Sequence, residues 1–147
     1  MAKPAKFFVS LKLLLKKGNK ILVLKEADTR FFDIPGGRID ENEIKAPIQK
    51  VLKREVREEI GADVKYKVLN FAPVAIHRRF KNLAKDRAFK IVFEAKYLSG
   101  DIKLSFEHES YEWVDPQKFN PKDWRFFSKE EKLAFEAYFK KVKKAAK

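Results

Sequence analysis

Apolar positions along the chain fall into two rhythms. "FFVSLKLLL", Phe7 to Leu15, and a second short run, Ile21–Lys25, are dense enough for buried strands. "KKGNK" lies between them and offers Gly18-Asn19 as a turn, so the pair predicts a β-hairpin. Strand patterns return at Lys65–Ile76 and Ala88–Leu98, joined by the basic segment "HRRFKNLAKDR". Ser99-Gly100-Asp101 makes a turn, and "SFEHESYEWVD" carries a loop into a short strand at Tyr111–Val114. Helical spacing appears twice. The first stretch runs from Pro47, suited to a first helical position, to Gly61, suited to a stop. The second follows a capping box of Ser128 and Glu131, with an apolar stripe of Leu133, Phe135, Ala137, Tyr138, Phe139 and Val142. "ADTRFFDIPGGRIDENE" reads as a loop with Pro35-Gly36-Gly37 as its strongest breaker. The order β-β-α-β-β-β-α predicts an α+β fold, a mixed β-sheet flanked by helices.

The first helix carries a conflict. On a wheel of about 100° per residue with Glu55 at zero, Val51, Ile48 and Leu52 fall between roughly −40° and +60°. Glu59 lies near about +40° and Glu58 near about −60°, with Lys50, Lys53, Arg54 and Arg57 assigned to the opposite side. The first half of the helix points apolar residues where the second half points carboxylates. Like charges three and four residues apart cost about 0.2–0.5 kcal/mol per exposed pair, and more once desolvated. A hard divalent cation resolves the conflict, and oxygen-only donors indicate Mg²⁺ or Mn²⁺ rather than structural zinc. The glycines just before the helix permit close approach of backbone, and phosphate binds well where such backbone meets a cation. The competing reading is a solvated acidic patch.

Composition narrows the class. At 147 residues and 45% hydrophobic, residues 1–147 suit one domain with one core. The formal charge of +13 favours polyanionic partners such as nucleotides or RNA, though solubility alone is an alternative. The absence of cysteine excludes disulfides, thiolate metal sites and cysteine nucleophiles, and suits a reducing cytoplasm. Lys12 and "KKGNK" argue against a signal segment, and no run reaches the roughly 18 apolar residues that span a bilayer.

The segment from Gly37 to Ala62 resembles the Nudix box: Gly, five residues, Glu, then Arg-Glu-aliphatic-x-Glu-Glu-x-Gly-aliphatic. Here these are Gly37, Glu43 and "REVREEIGA", Arg54 to Ala62. "DIPGG" before it and "EHESYEWVD" after it sit where Nudix domains carry similar stretches. One departure is plain: ten residues separate Glu43 from Arg54, where the pattern has seven. With Pro47 opening the helix, the three extra residues belong in the loop or first turn, and they put the role of Glu43 in question.

The resemblance implies a Nudix-type α/β/α sandwich and Mg²⁺-dependent hydrolysis of a nucleoside diphosphate linked to another moiety. Position by position it makes Glu58 and Glu59 metal ligands, the Gly36 carbonyl a further ligand, and Glu55 a ligand or the base. Arg54 would hold a box glutamate by a salt bridge. A carboxylate six residues before the strand Trp113 often adds to such sites, here Glu107 with Glu109 as rival. The resemblance also implies that a homodimer is open to the chain.

Outside the box, His77, Arg78, Arg79, Lys81, Lys85 and Arg87 crowd one connection and could clamp phosphates or RNA, or simply be solvated. His77 and His108 are the two histidines, each a candidate base or a structural group. Phe31 and Phe32 could stack on a base or belong to the core. Trp113 reads as core and Trp124 as an anchor for the final helix, while the terminal lysines from Lys140 onward could grip RNA or be solvated. The leading expectation is a Nudix pyrophosphohydrolase; the alternative is a Nudix-fold binding module without turnover, kept open by the insertion.

Overall fold

The computed structural model describes residues 2–28, 32–79, 87–118 and 129–146. Its centre is strand β1 (Phe8–Lys17), which turns at Gly18-Asn19 into β2 (Lys20–Glu26) as the hairpin chemistry requires. β1 runs parallel to β6 (Arg87–Ser99), from Phe8 opposite Ala88 to Lys16 opposite Lys96, and β6 pairs antiparallel with β5 (Lys65–Arg79). The other edge of β1 is shared. β2 holds it only at Lys16 and Lys17, while β4 (Gly36–Arg38) pairs with Ser10, Leu11 and Lys12. β2 continues away to pair with β3 (Phe32–Asp33) and β7 (His108–Val114), completing a mixed sheet of seven strands among the described residues.

A helix covers each face. Leu11, Leu13 and Leu15 of β1 pack with Val51, Leu52, Val56 and Ile60 of α1 (Ile48–Ile60). Leu14, with Ile21, Val23, Ile34 and Val92, packs against Phe135, Tyr138 and Phe139 of α2 (Lys129–Ala146). Burial on both faces explains why β1 reads as a continuous apolar run rather than an alternation. Each fully buried leucine there contributes about 1.5–3 kcal/mol. The expected α+β sandwich is the observed one.

Several local expectations change. The segment read as one loop contains β3 and β4, which at two and three residues are too short to show a period, and whose pairing is supplied by β2 and β1. β5 runs on through Arg79, so His77, Arg78 and Arg79 stand in a strand and not in the connection. Lys81, Lys85, Phe31, Trp124 and Ser128 lie outside the described residues. On α2, Leu133 and Ala137 face solvent, and Glu131 takes the buried position in line with Phe135, Tyr138 and Phe139. On α1, Ile48 is exposed, because the core contacts begin one turn later at Val51. Trp113 is partly buried against the α1-side cluster, edge-on to Tyr97 at 5.6 Å. Among the described residues no helix is long and apolar enough to cross a membrane.

Candidate active site

A 3-10 turn (Glu41–Glu43) ends at Glu43, and the turn and bend at residues 44–46 then lengthen the lead-in, with Pro47 immediately ahead of the helix. From there α1 delivers its glutamates in graded depth. Glu59 is buried at 9% exposure, Glu55 is half-buried, and the Glu58 side chain is 60% exposed. Glu59 Oε2 accepts the Gly36 N–H at 2.8 Å, tying the helix to β4. Burial pushes the Glu59 carboxyl up to about 8, against the pull of Lys12 and the Gly36 N–H. Burial also raises Glu55, against the pull of Arg54.

The two glycines are fixed by different neighbours. A Cβ on Gly36 would sit 2.0 Å from the Leu11 carbonyl oxygen, and its φ of +131° is open essentially to glycine alone. A Cβ on Gly37 would meet the Glu55 carboxylate at 2.2 Å. The first glycine lets β4 lie against β1, and the second leaves room for a glutamate.

Arg54 does not stand apart from the carboxylates, as its assignment to the opposite side of the wheel implies; a guanidinium on a long stem reaches around the helix. Its Nε and Nη2 bond the two oxygens of Glu43 at 2.7 and 2.5 Å. Nη2 also reaches the Arg38 carbonyl at 3.2 Å. Nη1 lies 2.9 Å from Glu55 Oε1 and 3.1 Å from Glu58 Oε2.

Behind Glu59 lies a feature that sequence reasoning missed. Lys12, buried between the leucines of β1, donates to Asp33 Oδ2 at 2.9 Å, the Ile34 carbonyl at 3.3 Å and the Gly36 carbonyl at 3.1 Å. Burial opposes its charge, yet Asp33 and Glu59 hold its pKa well above the usual lysine value. Lys90 bonds the buried Glu131 of α2 at 3.1 Å and approaches Asp33 at 3.6 Å. The available signal is Ser10 and Lys12, two residues apart and so on one face of a strand whose centre is rich in leucine, which marks a polar patch on one buried face.

A cleft of about 500 Å³ opens over this patch. Ser10, Lys12, Lys90, Glu59, Glu107 and His108 are among its lining. Glu107 is exposed there, whereas Glu109 is engaged by Lys25 at 3.0 Å. His108 is buried, its pKa is lowered by burial, and among the described residues its Nδ1 has no hydrogen-bond partner. Phe32 is half-buried and packs against the α2-side core. The backbones of Arg78 and Arg79 pair with Ala88 and Arg87, next to the cleft-lining Ala88, and their side chains lie outside the described part.

As the side chains stand, no three described acidic or histidine groups converge in a metal-holding arrangement. The donor chemistry nonetheless fits a hard cation. Glu59 is a desolvated carboxylate whose ionised form needs a positive partner, and Glu55 is half-desolvated beside it. The Arg54 Nη1 group is the cation that Glu55 and Glu58 now share.

The NUDIX domain family model matches residues 9–134. This chain belongs to the Nudix family. It is a Nudix hydrolase, and the Gly37–Ala62 segment is its box. Solved structures agree in fold. A MutT protein from Methanosarcina mazei Go1 is 23% identical, covers 97% of this chain and 99% of its own, and superposes with a TM-score of 0.75. A MutT NUDIX hydrolase from Burkholderia pseudomallei is 17% identical over 89% of this chain and 97% of its own, with a TM-score of 0.65. An ADP-ribose pyrophosphatase from Streptococcus suis 89-1591 is 20% identical over 90% of this chain and 92% of its own, with a TM-score of 0.61. Among curated proteins no sequence matches the chain.

Proposed function

We propose that residues 1–147 work as one Nudix domain that hydrolyses the phosphoanhydride of a nucleoside diphosphate derivative, with Mg²⁺ held by Glu58 and Glu59. Mn²⁺ is the expected substitute. The observation that carries this reading is the buried Glu59 carboxylate, fixed by the Gly36 N–H and pushed by burial well above the usual carboxylate range. A divalent ion bound there neutralises charge on the diphosphate and makes a water more acidic.

The chain's own groups do the rest. Glu55, half-buried with a raised pKa and standing over Gly37, takes the proton of the water that attacks phosphorus. Arg54 orients the helix carboxylates through its fork on Glu43 and Nη1 contacts to Glu55 and Glu58. Glu107, exposed at the cleft rim, is the additional acidic group available to the site, and Gly36 contributes its N–H. The cleft takes the nucleoside side of the substrate, with Phe32, Arg78 and Arg79 the candidates the sequence offers for holding it. A charge of +13 favours anionic substrates generally, including RNA 5′ ends. The cysteine-free composition is compatible with the cytoplasm.

The test is phosphate release from nucleoside triphosphates, ADP-ribose, nucleotide sugars, dinucleoside polyphosphates and 5′-triphosphate RNA, coupled to a phosphatase where needed. Turnover that requires Mg²⁺ or Mn²⁺ and is lost in Glu58→Gln supports the reading. Metal-independent turnover, or none on any substrate, contradicts it.

A further inference from the structure

We infer that Lys12 is a resident cation at the Gly36 carbonyl, so that this chain holds its divalent ion through the α1 glutamates and without the backbone oxygen of Gly36. The inference rests on the metal reading above and specifies its ligand set. It begins with the register of the sheet. Lys12 of β1 lies directly opposite Gly36 of β4, and Gly36 fits there because a side chain would collide with Leu11. The lysine stem is buried, and its ammonium has three protons for three acceptors: Asp33 Oδ2, the Ile34 carbonyl and the Gly36 carbonyl. A buried ammonium with all three protons committed is costly to displace, since moving it would leave its charge without those acceptors and Asp33 without its nearer cation.

The two sides of Gly36 are then used differently. Its N–H goes to Glu59 and its carbonyl to Lys12, and Lys12 interacts electrostatically with Glu59 as well. A metal ion reaching the Gly36 oxygen would stand close to the ammonium already bonded to it at 3.1 Å, and like charges at that range disfavour ligation there. Asp33 keeps the lysine in place from the other side, and Lys90 with Glu131 anchors Asp33 to α2. The metal capacity of the site is thereby set by a strand residue outside the Nudix box.

The test counts bound Mn²⁺ by equilibrium dialysis and electron paramagnetic resonance, with no substrate present, for wild type, Lys12→Met, and Lys12→Met combined with Asp33→Asn. The double variant removes both charges and so guards against a single variant that does not fold. Both variants, or the double variant alone if the single one is unfolded, are expected to gain a Mn²⁺ or to bind it at least about tenfold more tightly. Binding no greater than wild type in a folded variant overturns the inference. If wild type binds Mn²⁺ through Glu58 and the folded variants gain nothing, the Lys12 assignment falls and the proposed reaction stands. If none of the proteins binds Mn²⁺, both fall. A second measurement needs no variant: the ¹⁵N signal of the Lys12 ammonium and the ¹³C shift of the Gly36 carbonyl in wild type, followed through Mg²⁺ saturation. Persistence of the first with little movement of the second is expected. Loss of the ammonium signal with a large carbonyl shift shows that Lys12 yields to the metal, and overturns the inference.

Discussion

Arg54 grips both oxygens of Glu43, at 2.7 and 2.5 Å, although three more residues separate the two than the Nudix box prescribes. The additional length is taken up in the turn and bend after Glu41–Glu43, ahead of Pro47, and the pair across it is kept. A planar fork can bridge two carboxylate oxygens at once, and an ammonium cannot. Arg54→Lys is therefore expected to lower turnover by about 10–100-fold, with a smaller loss for Glu43→Gln. Steady-state kinetics on the best substrate, read alongside thermal melts, checks this. Equal turnover in Arg54→Lys and wild type would remove Arg54 from the site.

Gly36 and Gly37 predict opposite failures. Gly36→Ala drives a Cβ into the backbone of β1, so it should cost more than about 3 kcal/mol or prevent folding. Gly37→Ala meets only the end of the Glu55 side chain, which can swing away. That protein should fold within about 1 kcal/mol of wild type while losing at least about 100-fold in turnover, because Glu55 is displaced. Urea denaturation and kinetics on the two variants decide it.

Glu59 gives the protein a pH signature in the absence of metal. Its carboxyl is raised from 4.5 to about 8, so between those values the folded chain keeps a proton that the unfolded chain has released. The stabilisation is complete below pH 4.5 and is lost as pH rises through about 8, a fall on the order of 5 kcal/mol. His108, lowered by burial, contributes the opposite slope below its ordinary value, so the difference between wild type and Glu59→Gln isolates the glutamate. The glutamine keeps an oxygen for the Gly36 N–H and carries no charge. In EDTA, wild type should lose stability relative to Glu59→Gln between pH 5 and 8.5, by urea midpoints. Parallel curves would show that Glu59 is not protonated in the fold.

Much of this was legible in the residues. The hairpin at Gly18-Asn19, the span from Pro47 to Gly61 and the glutamate face of that helix follow from turn chemistry and period. The family was legible in Arg54 to Ala62, where the spacing is specific. What escaped depends on tertiary pairing. β3 and β4 exist because β2 and β1 present open edges to them, Leu133 faces solvent because it lies on the side of α2 away from Phe135, Tyr138 and Phe139, and Ile48 because the core contacts of α1 begin at Val51. Lys12 looked like an interruption of an apolar run. Only the opposition of β1 and β4 reveals that its charge is met by Asp33 and the Gly36 carbonyl.

The most direct measurement is hydrolysis in ¹⁸O-labelled water with Mg²⁺, followed by mass analysis of the phosphate or nucleotide products, for wild type and Glu58→Gln. Glu58 is exposed, so its glutamine variant should keep wild-type stability and leave the chemistry as the only difference. Metal-dependent transfer of one ¹⁸O to a phosphorus-bearing product, present in wild type and reduced at least about 100-fold in Glu58→Gln, is the predicted result. Equal labelling by the two proteins, or labelling that survives EDTA, would contradict a hydrolase that works through the α1 glutamates.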